Sequence, residues 1–466
     1  MKDQSFVIEH HGIDPIPESE RHGTPRGQFT LWFAANMQIT TVVTGALAVF
    51  LGLSFPWAIV AILLGNLVGA IFMAAHCVQG PRLGIPQMIQ SRAQFGFIGA
   101  ILPLVLAIIL YMGFFASSAV LGGEALAAWL NISTSVGIVV SSAFAGLIAL
   151  YGYDLFHRYQ RWMSWLFGVV FLYLTIRILA TQPLSHLKGG HFTAASFILV
   201  VSIVATWQIT YSVAVSDYSR YLPVNTKSKS TFLNSYWGTT VATIWMMILG
   251  CLGALLGASR FDSNSVEYIG KAGGSGIAWF VFIVIVLGVI SANVINVYGS
   301  FMCASTLIQT FKPVPNSRSA RSTFIVTATI VGMVIALWGQ GNFLTNYTNF
   351  LNFLLYLVVP WTAVNLTDFY VVRHGHYNVE SILRRDGTYG AIGWRAMIAY
   401  LVAVAVQIPF IDTTLYEGPL AKQIGGADIS WILALIVGSV LYYLLARGQR
   451  VREVAPLATP LTSGDQ

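Results

Sequence analysis

Long apolar runs alternate with short breaks rich in glycine, proline and charge along most of this 466-residue chain. A helix needs about 20 apolar residues to cross a bilayer core. On that measure the sequence predicts twelve spanning helices, near 29–53, 56–76, 97–121, 134–152, 162–181, 193–216, 233–257, 275–309, 322–340, 343–372, 392–410 and 429–446. Polar residues inside these runs are informative, because hydrocarbon offers an amide or hydroxyl no partner; such groups face a cavity or a neighbouring helix. Two runs carry them in clusters. The first holds Asn36, Gln38, Thr40, Thr41 and Thr44, followed by Gly45; the sixth holds Trp207, Gln208, Thr210, Tyr211 and Ser212. Gln-Ile-Thr occurs in both, at 38–40 and 208–210. Polar interruptions five spans apart are the pattern of a carrier made of two inverted repeats whose first helices are discontinuous at the membrane midplane. The chain then divides into a cytoplasmic tail (1–27), a first repeat (28–190), a second repeat (191–375), two added helices (376–446) and a polar tail (447–466) expected to be disordered.

Composition narrows the class. With 56% hydrophobic residues, 9% charged residues and a mean hydropathy of +0.70, the chain is too apolar for a soluble globule. Placing the N-terminus in the cytoplasm puts 20 of the 25 Lys and Arg residues on that face. The even count puts both termini on one side, and so lopsided a split supports both the count and the cytoplasmic orientation; the expected location is the cell's inner or plasma membrane. Because the basic residues are scattered through short loops, the net charge of +7 does not predict a nucleic-acid partner. Residues 1–27 are too polar for a signal peptide. Cys77, Cys251 and Cys303 lie in apolar segments without paired spacing, which predicts neither disulfide nor metal site. No Asp, Glu, Lys or Arg occupies the centre of a predicted span, so the substrate is expected to be neutral. No nucleophile-and-base or paired-acid constellation predicts an enzyme, and no polar ring predicts a pore.

Three stretches carry a family likeness: Gln90-Ser91-Arg92-Ala93-Gln94-Phe95-Gly96, Asp217-Tyr218-Ser219-Arg220-Tyr221-Leu222-Pro223, and Asp368 through Tyr377. Together they resemble the nucleobase cation symporter family, in its purine-cytosine permease branch, over about nine tenths of the chain. The resemblance implies an all-α, twelve-helix membrane protein of LeuT type, a 5+5 inverted repeat plus two helices. It implies import of a nucleobase of the cytosine or purine class with a cation, by alternating access. Related heterocycles such as hydantoin, allantoin, uracil or a thiamine-precursor pyrimidine are the alternative.

A nucleobase is flat and neutral, with donors and acceptors on its edge, so its site needs aromatic faces and amides or hydroxyls. In the family a tryptophan stacks on the base where this chain has Phe114, with Tyr111 and Ser118 as polar neighbours. The second aromatic wall falls on Trp207 or Tyr211, with Gln208 beside Trp207 as a hydrogen-bond partner. Gln38, Asn293 and Asn296 complete the candidate set; the two asparagines, three apart, share a helix face. Sodium binding in this fold uses carbonyls of the broken first helix, here Asn36 to Ile39, and hydroxyls of the eighth. Ser291 supplies one hydroxyl and Ala292 lacks the other, so sodium and a proton both stand as coupling ion. Asp217 and Arg220 are read as an exposed pair at a helix end, with gating or structural roles, able to pair with each other or with Arg92. No cofactor is expected, and the partners are substrate, coupling ion and lipid around a monomer.

Overall fold

A computed structural model describes residues 14–151, 153–182, 187, 189–312 and 318–448, with side chains left out at 151–162, 164 and 318. The far ends of both expected tails, and the side chains of Asp154–Tyr159, lie outside the described residues. Among these there are helices and two isolated bridges but no strand. Backbone polar groups cannot be left unpaired in lipid, and helices satisfy them locally.

The first expected span is two helices, α1 (Pro25–Asn36) and α2 (Ile39–Phe50), bent by 63° at a break of two residues. Pro25 at the first position of α1 loses nothing there, since that N–H has no intrahelical acceptor. There follow α3 (Phe55–Cys77), α4 (Ile101–Leu130), α5 (Thr134–Tyr151) and α6 (Tyr153–Thr181). Next, α7 (Ala194–Thr210) passes through a 3-10 turn at Tyr211–Val213 into the short α8 (Val215–Ser219). The chain continues through α9 (Ser228–Gly257), α10 (Ala278–Gln309), α11 (Arg318–Gly339), α12 (Phe343–Thr367), α13 (Trp394–Gln407) and α14 (Ser430–Ala446).

Among the described residues six helical runs are long and apolar enough to cross a membrane, one of them spanning 319–372 as a unit; the bent α1–α2 pair makes a seventh, and four shorter apolar helices remain. Large apolar side chains cover the outside, among them Phe144, Ile176, Val334, Leu401 and Val440, each more than half exposed. A soluble protein would not show such a belt. Two expectations are corrected. Good helix formers carry α4 to Leu130, nine residues past its predicted end, until Asn131 turns left-handed at φ 55°. α6 begins at Tyr153, nine residues before its predicted start at 162. The glycine- and proline-rich segment after α3 is folded into three helical turns, Gln79–Leu83, Gln87–Gln90 and Arg92–Phe95, and is almost wholly buried.

Packing joins α1, α2 and α3 to α9, and α3 to α7; on the other side α4 lies along α10 and against α5 and α11. Where α2 meets α9, the contact is backbone to backbone. A Cβ on Gly250 would overlap the Val42 carbonyl oxygen, and one on Gly45 would overlap that of Met247. In lipid, small residues at a helix crossing substitute close van der Waals contact for a hydrophobic drive. At the α12 end, the fully buried Asp368 carboxylate accepts from the hydroxyls of Tyr377 (2.7 Å) and Tyr442 (2.7 Å), Nε2 of Gln94 (2.9 Å) and Nε of Arg373 (3.1 Å). One carboxylate thus ties α12, α14 and the turns after α3 together.

Gly250→Ala should destabilise the protein by about 1–3 kcal/mol, because the overlap is with main chain rather than a movable side chain. Gly168→Ala on α6, where an added Cβ meets nothing within 4 Å, should leave the thermal midpoint in detergent unchanged or slightly raised. Equal midpoints for the two variants would show that the α2–α9 contact is not limiting.

Candidate functional site

The α1–α2 break and the end of α7 face the same enclosed space. Met37 and Gln38 leave helical geometry, Gln38 being extended (φ −140°, ψ 158°). A cavity of about 970 Å³, counted to its open mouth, is bounded by this break and by parts of α4, α6, α7, α8 and α10. Its walls include Gln38, Tyr111, Phe114, Ser118, Trp207, Tyr211, Ser291 and Asn296 from the expected set. Among the described residues no charged side chain lines it.

Aromatic rings dominate one side. Trp207 stands perpendicular to Phe114 at 5.7 Å between centroids and to Tyr211 at 6.1 Å, so the two positions that the sequence left open on α7 both contribute. Trp32 was not expected and adds an edge contact to Tyr211 at 5.4 Å and to Tyr218 at 5.6 Å. Its signal was its place one turn before Asn36, on the same face of an interrupted helix. Phe167 and Thr40 were also missed. The Thr40 hydroxyl is buried without a hydrogen-bond partner among the described residues.

Two expected ligands do not reach the cavity. Gln208 is fully buried and turned the other way: its Nε2 donates to Oδ1 of Asn66 (2.7 Å) and its Oε1 accepts from Thr239 (2.6 Å). Residues adjacent on a helix point about 100° apart, so with Trp207 on the wall Gln208 meets α3 and α9. Asn293 lies behind Asn296, whose Nδ2 is 3.5 Å from the Asn293 Oδ1. A shared face spans more than the strip that touches the cavity. On the cation set, Ser291 lines the wall and its hydroxyl donates to the Leu287 carbonyl (2.8 Å). The Asn36 carbonyl accepts from the Gln38 N–H (2.9 Å), the Asn36 side chain is spent on protein partners, and Ile39 is buried.

The cavity is sealed at the end remote from α1. Phe114 meets Phe350 at 5.2 Å, Phe343 stacks on Tyr347, and the Tyr347 and Thr44 hydroxyls are 2.7 Å apart. Toward the other end lies a smaller, polar chamber bordered by Tyr111, Asp217, Tyr218, Arg220 and Tyr298. The expected exposed pair is therefore inside the protein. Arg220 is 1% exposed, donating to the carbonyls of Asp217 and Asp14, and Asp217 Oδ1 accepts from the Gln87 N–H at 2.7 Å. The N-terminal segment and the turns after α3 cover this helix end. Arg92 donates to the Thr306 carbonyl and stacks over Phe97 at 4.1 Å. Burial pushes its guanidinium down to about 10, which keeps it cationic at neutral pH. Among the described residues no group of three His, Cys, Asp or Glu could hold a metal ion.

A helical membrane bundle with a neutral aromatic cavity beside two helix interruptions, closed at one end, has the architecture of a carrier. Residues 15–434 match the family described as permease for cytosine/purines, uracil, thiamine, allantoin. YxlA of Bacillus subtilis, provisionally named a purine-cytosine permease, is 45% identical over 443 residues, covering 94% of this chain and 96% of the relative. The purine-cytosine permease FcyB of Emericella nidulans is 26% identical over 456 residues, covering 94% and 88%. Among solved structures, Mhp1, a nucleobase-cation-symport-1 family transporter, closed with bromovinylhydantoin bound, superposes with a TM-score of 0.77 at 19% identity, covering 94% of this chain and 95% of its own. The chain belongs to this permease family and is a transporter, not an enzyme; its all-helical LeuT-type fold is that of Mhp1.

Proposed function

We propose that this permease imports a nucleobase of the cytosine or purine class by cation symport with alternating access. It crosses the cell's inner or plasma membrane twelve times, with the 319–372 run making two passes and both termini in the cytoplasm. The observation that carries this reading is the uncharged cavity beside the helix breaks, whose lining combines aromatic rings with amides and hydroxyls. A neutral base needs faces to stack on and a polar edge to match, while a buried charge would penalise it. In this reading Phe114, Trp207 and Tyr211 contact the ring. Gln38, Tyr111, Ser118 and Asn296 read its edge. The closure through Phe350 and Tyr347 is the outer gate, and the chamber at Asp217 and Arg220 is the inward path. Measured uptake into proteoliposomes across cytosine, adenine, hypoxanthine, uracil and hydantoin tests the assignment; saturable, gradient-dependent uptake of cytosine or a purine is expected. Preferred uptake of hydantoin would favour the alternative of a related small heterocycle.

Asn296→Ala should weaken base binding by about tenfold or more through loss of a hydrogen bond worth about 1–3 kcal/mol when its partner stays desolvated. Asn293→Ala, acting only through its neighbour, should cost less. The reverse order in equilibrium binding would mean that α10 is rotated relative to this account.

The coupling ion is proposed to be a proton. Ser291 is the lone side-chain hydroxyl at positions 291 and 292, and the methyl of Ala292 offers no oxygen to sodium, which binds hard oxygen donors. Uptake should persist without sodium and collapse with a protonophore. If binding of the base sharpens as sodium is added to the unmodified protein, sodium is the coupling ion; Ala292→Thr should then tighten both ligands by the same factor.

A further inference from the structure

Behind the aromatic wall runs a chain of side-chain hydrogen bonds whose direction is fixed at one end. The indole of Trp207 can only donate, and its Nε1 gives its proton to Oδ1 of Asn36 at 2.9 Å. The Tyr211 hydroxyl is 3.1 Å from the same oxygen and donates to it as well. The Asn36 amide nitrogen must then face the other way, donating to the Trp32 carbonyl (2.8 Å) and to Oγ1 of Thr239 (3.0 Å). Thr239 passes its own proton to Oε1 of Gln208 (2.6 Å), Gln208 donates to Oδ1 of Asn66 (2.7 Å), and Asn66 donates to the Ile62 carbonyl (2.9 Å). Asn36, Asn66, Gln208 and Thr239 are all fully buried. None of their polar atoms lacks a partner, although the hydroxyls of Thr40, Thr41 and Ser212 close by do. So complete a network in the apolar interior is high-stakes: every member is held in one orientation by the next.

This arrangement decides what the α7 wall can offer a ligand. With the Trp207 N–H and the Tyr211 O–H both committed to Asn36, that wall presents ring faces and no spare donor. The remaining polar groups of the lining are not spent in this way. Gln38 turns its amide nitrogen to the Ala35 carbonyl (2.9 Å) and the Tyr211 hydroxyl, which leaves Oε1 as its free polar atom, and half-buried Asn296 and the Ser118 hydroxyl border the same space.

We propose that Asn36, held by Thr239, Gln208 and Asn66, is a positioning residue that sets substrate selectivity from outside the cavity. By occupying both donors of the α7 wall, it leaves recognition of the polar edge to Gln38, Ser118 and Asn296. The substrate class this favours is a flat heteroaromatic ring whose donors and acceptors crowd one edge, stacked with its opposite edge toward Trp207. Ligands that need a donor from the tryptophan side are rejected because no proton is left for them. The proposal rests on the reading of the cavity as a base site.

The test uses Thr239, which does not touch the cavity, in the full chain reconstituted in lipid nanodiscs. Tryptophan is labelled with ¹⁵N, and the Trp207 indole signal is assigned by its loss in Trp207→Phe. Thr239→Val keeps the shape of the side chain and removes the hydroxyl, freeing the Asn36 amide to turn. Solvent exchange of the Trp207 indole proton should quicken by about tenfold or more as local protection is lost. The spread of affinities among cytosine, adenine, hypoxanthine and uracil should narrow by about tenfold, in line with the weight of one oriented polar contact in discrimination. Thr239→Ser, which restores the hydroxyl, should recover both. Gln208→Met breaks the chain one link further on and should repeat the Thr239→Val result, covering the case in which that variant does not fold. Parental exchange and parental selectivity in a folded Thr239→Val or Gln208→Met variant would overturn the proposal. So would an equal loss of affinity for all four bases with unchanged exchange, which marks ordinary structural damage. If the unmodified protein binds none of the four, the functional reading fails, and the exchange measurement still decides whether the chain holds the two donors.

Discussion

The break between Asn36 and Ile39 sets the terms for the rest of the molecule. Interrupting a helix inside a bilayer frees backbone groups where no water can take them, so the interruption survives only where protein supplies partners or a cavity supplies solvent. Here local bonds take part of the load: Met37 N–H reaches the Ala34 carbonyl and Thr41 N–H the Gln38 carbonyl. Side chains take the rest. Asn36 clamps the last turn of α1 to α9 and to the end of α7, so that the two interrupted helices are fixed to each other. The backbone contacts at Gly45 and Gly250 then hold α2 against α9 on the far side of the break. The cavity is the space that this geometry leaves between the interrupted helices and α4 and α10.

Much of the fold was legible because membrane physics leaves few solutions. Apolar runs of about 20 residues read directly as spanning helices, and the polar clusters at 36–44 and 207–212 mark the interruptions. The segment after α3 was less legible. Gly80 through Gly96 has the composition of a turn-rich loop, yet its apolar members, Leu83, Ile85, Ile89 and Phe95, are buried and draw the polar ones in with them. The amides of Gln79, just before it, and of Gln94 within it find internal partners, Asn365 and Asp368. Sequence alone cannot signal that, because the partners lie nearly 300 positions away.

The site shows the same division. Residue type identified the chemistry, aromatic faces with neutral amides, and placed Gln38, Phe114, Trp207, Tyr211 and Asn296 on one cavity. Helix rotation was out of reach at single-residue resolution. Gln208 and Asn293 have the composition of ligands but face away from the cavity, and Gln208 became a support for its neighbour's partner. Trp32 and Tyr218 escaped notice since each sits beside a more conspicuous residue, Asn36 and Asp217. In a cavity without charge, selectivity has to come from which donors remain unspent, so residues behind the wall matter as much as those on it.

The central claim is that this cavity, between the α7 aromatic residues and the amides of Gln38 and Asn296, is where a base is held during transport. A structure of the protein determined with a bound member of the cytosine or purine class tests it most directly. The account predicts the ring lying among Phe114, Trp207 and Tyr211, with its polar edge at Gln38 and Asn296 and its opposite edge toward the Trp207 indole, whose N–H stays on Asn36. A base found outside this cavity, or one accepting a hydrogen bond from the Trp207 indole, would contradict it.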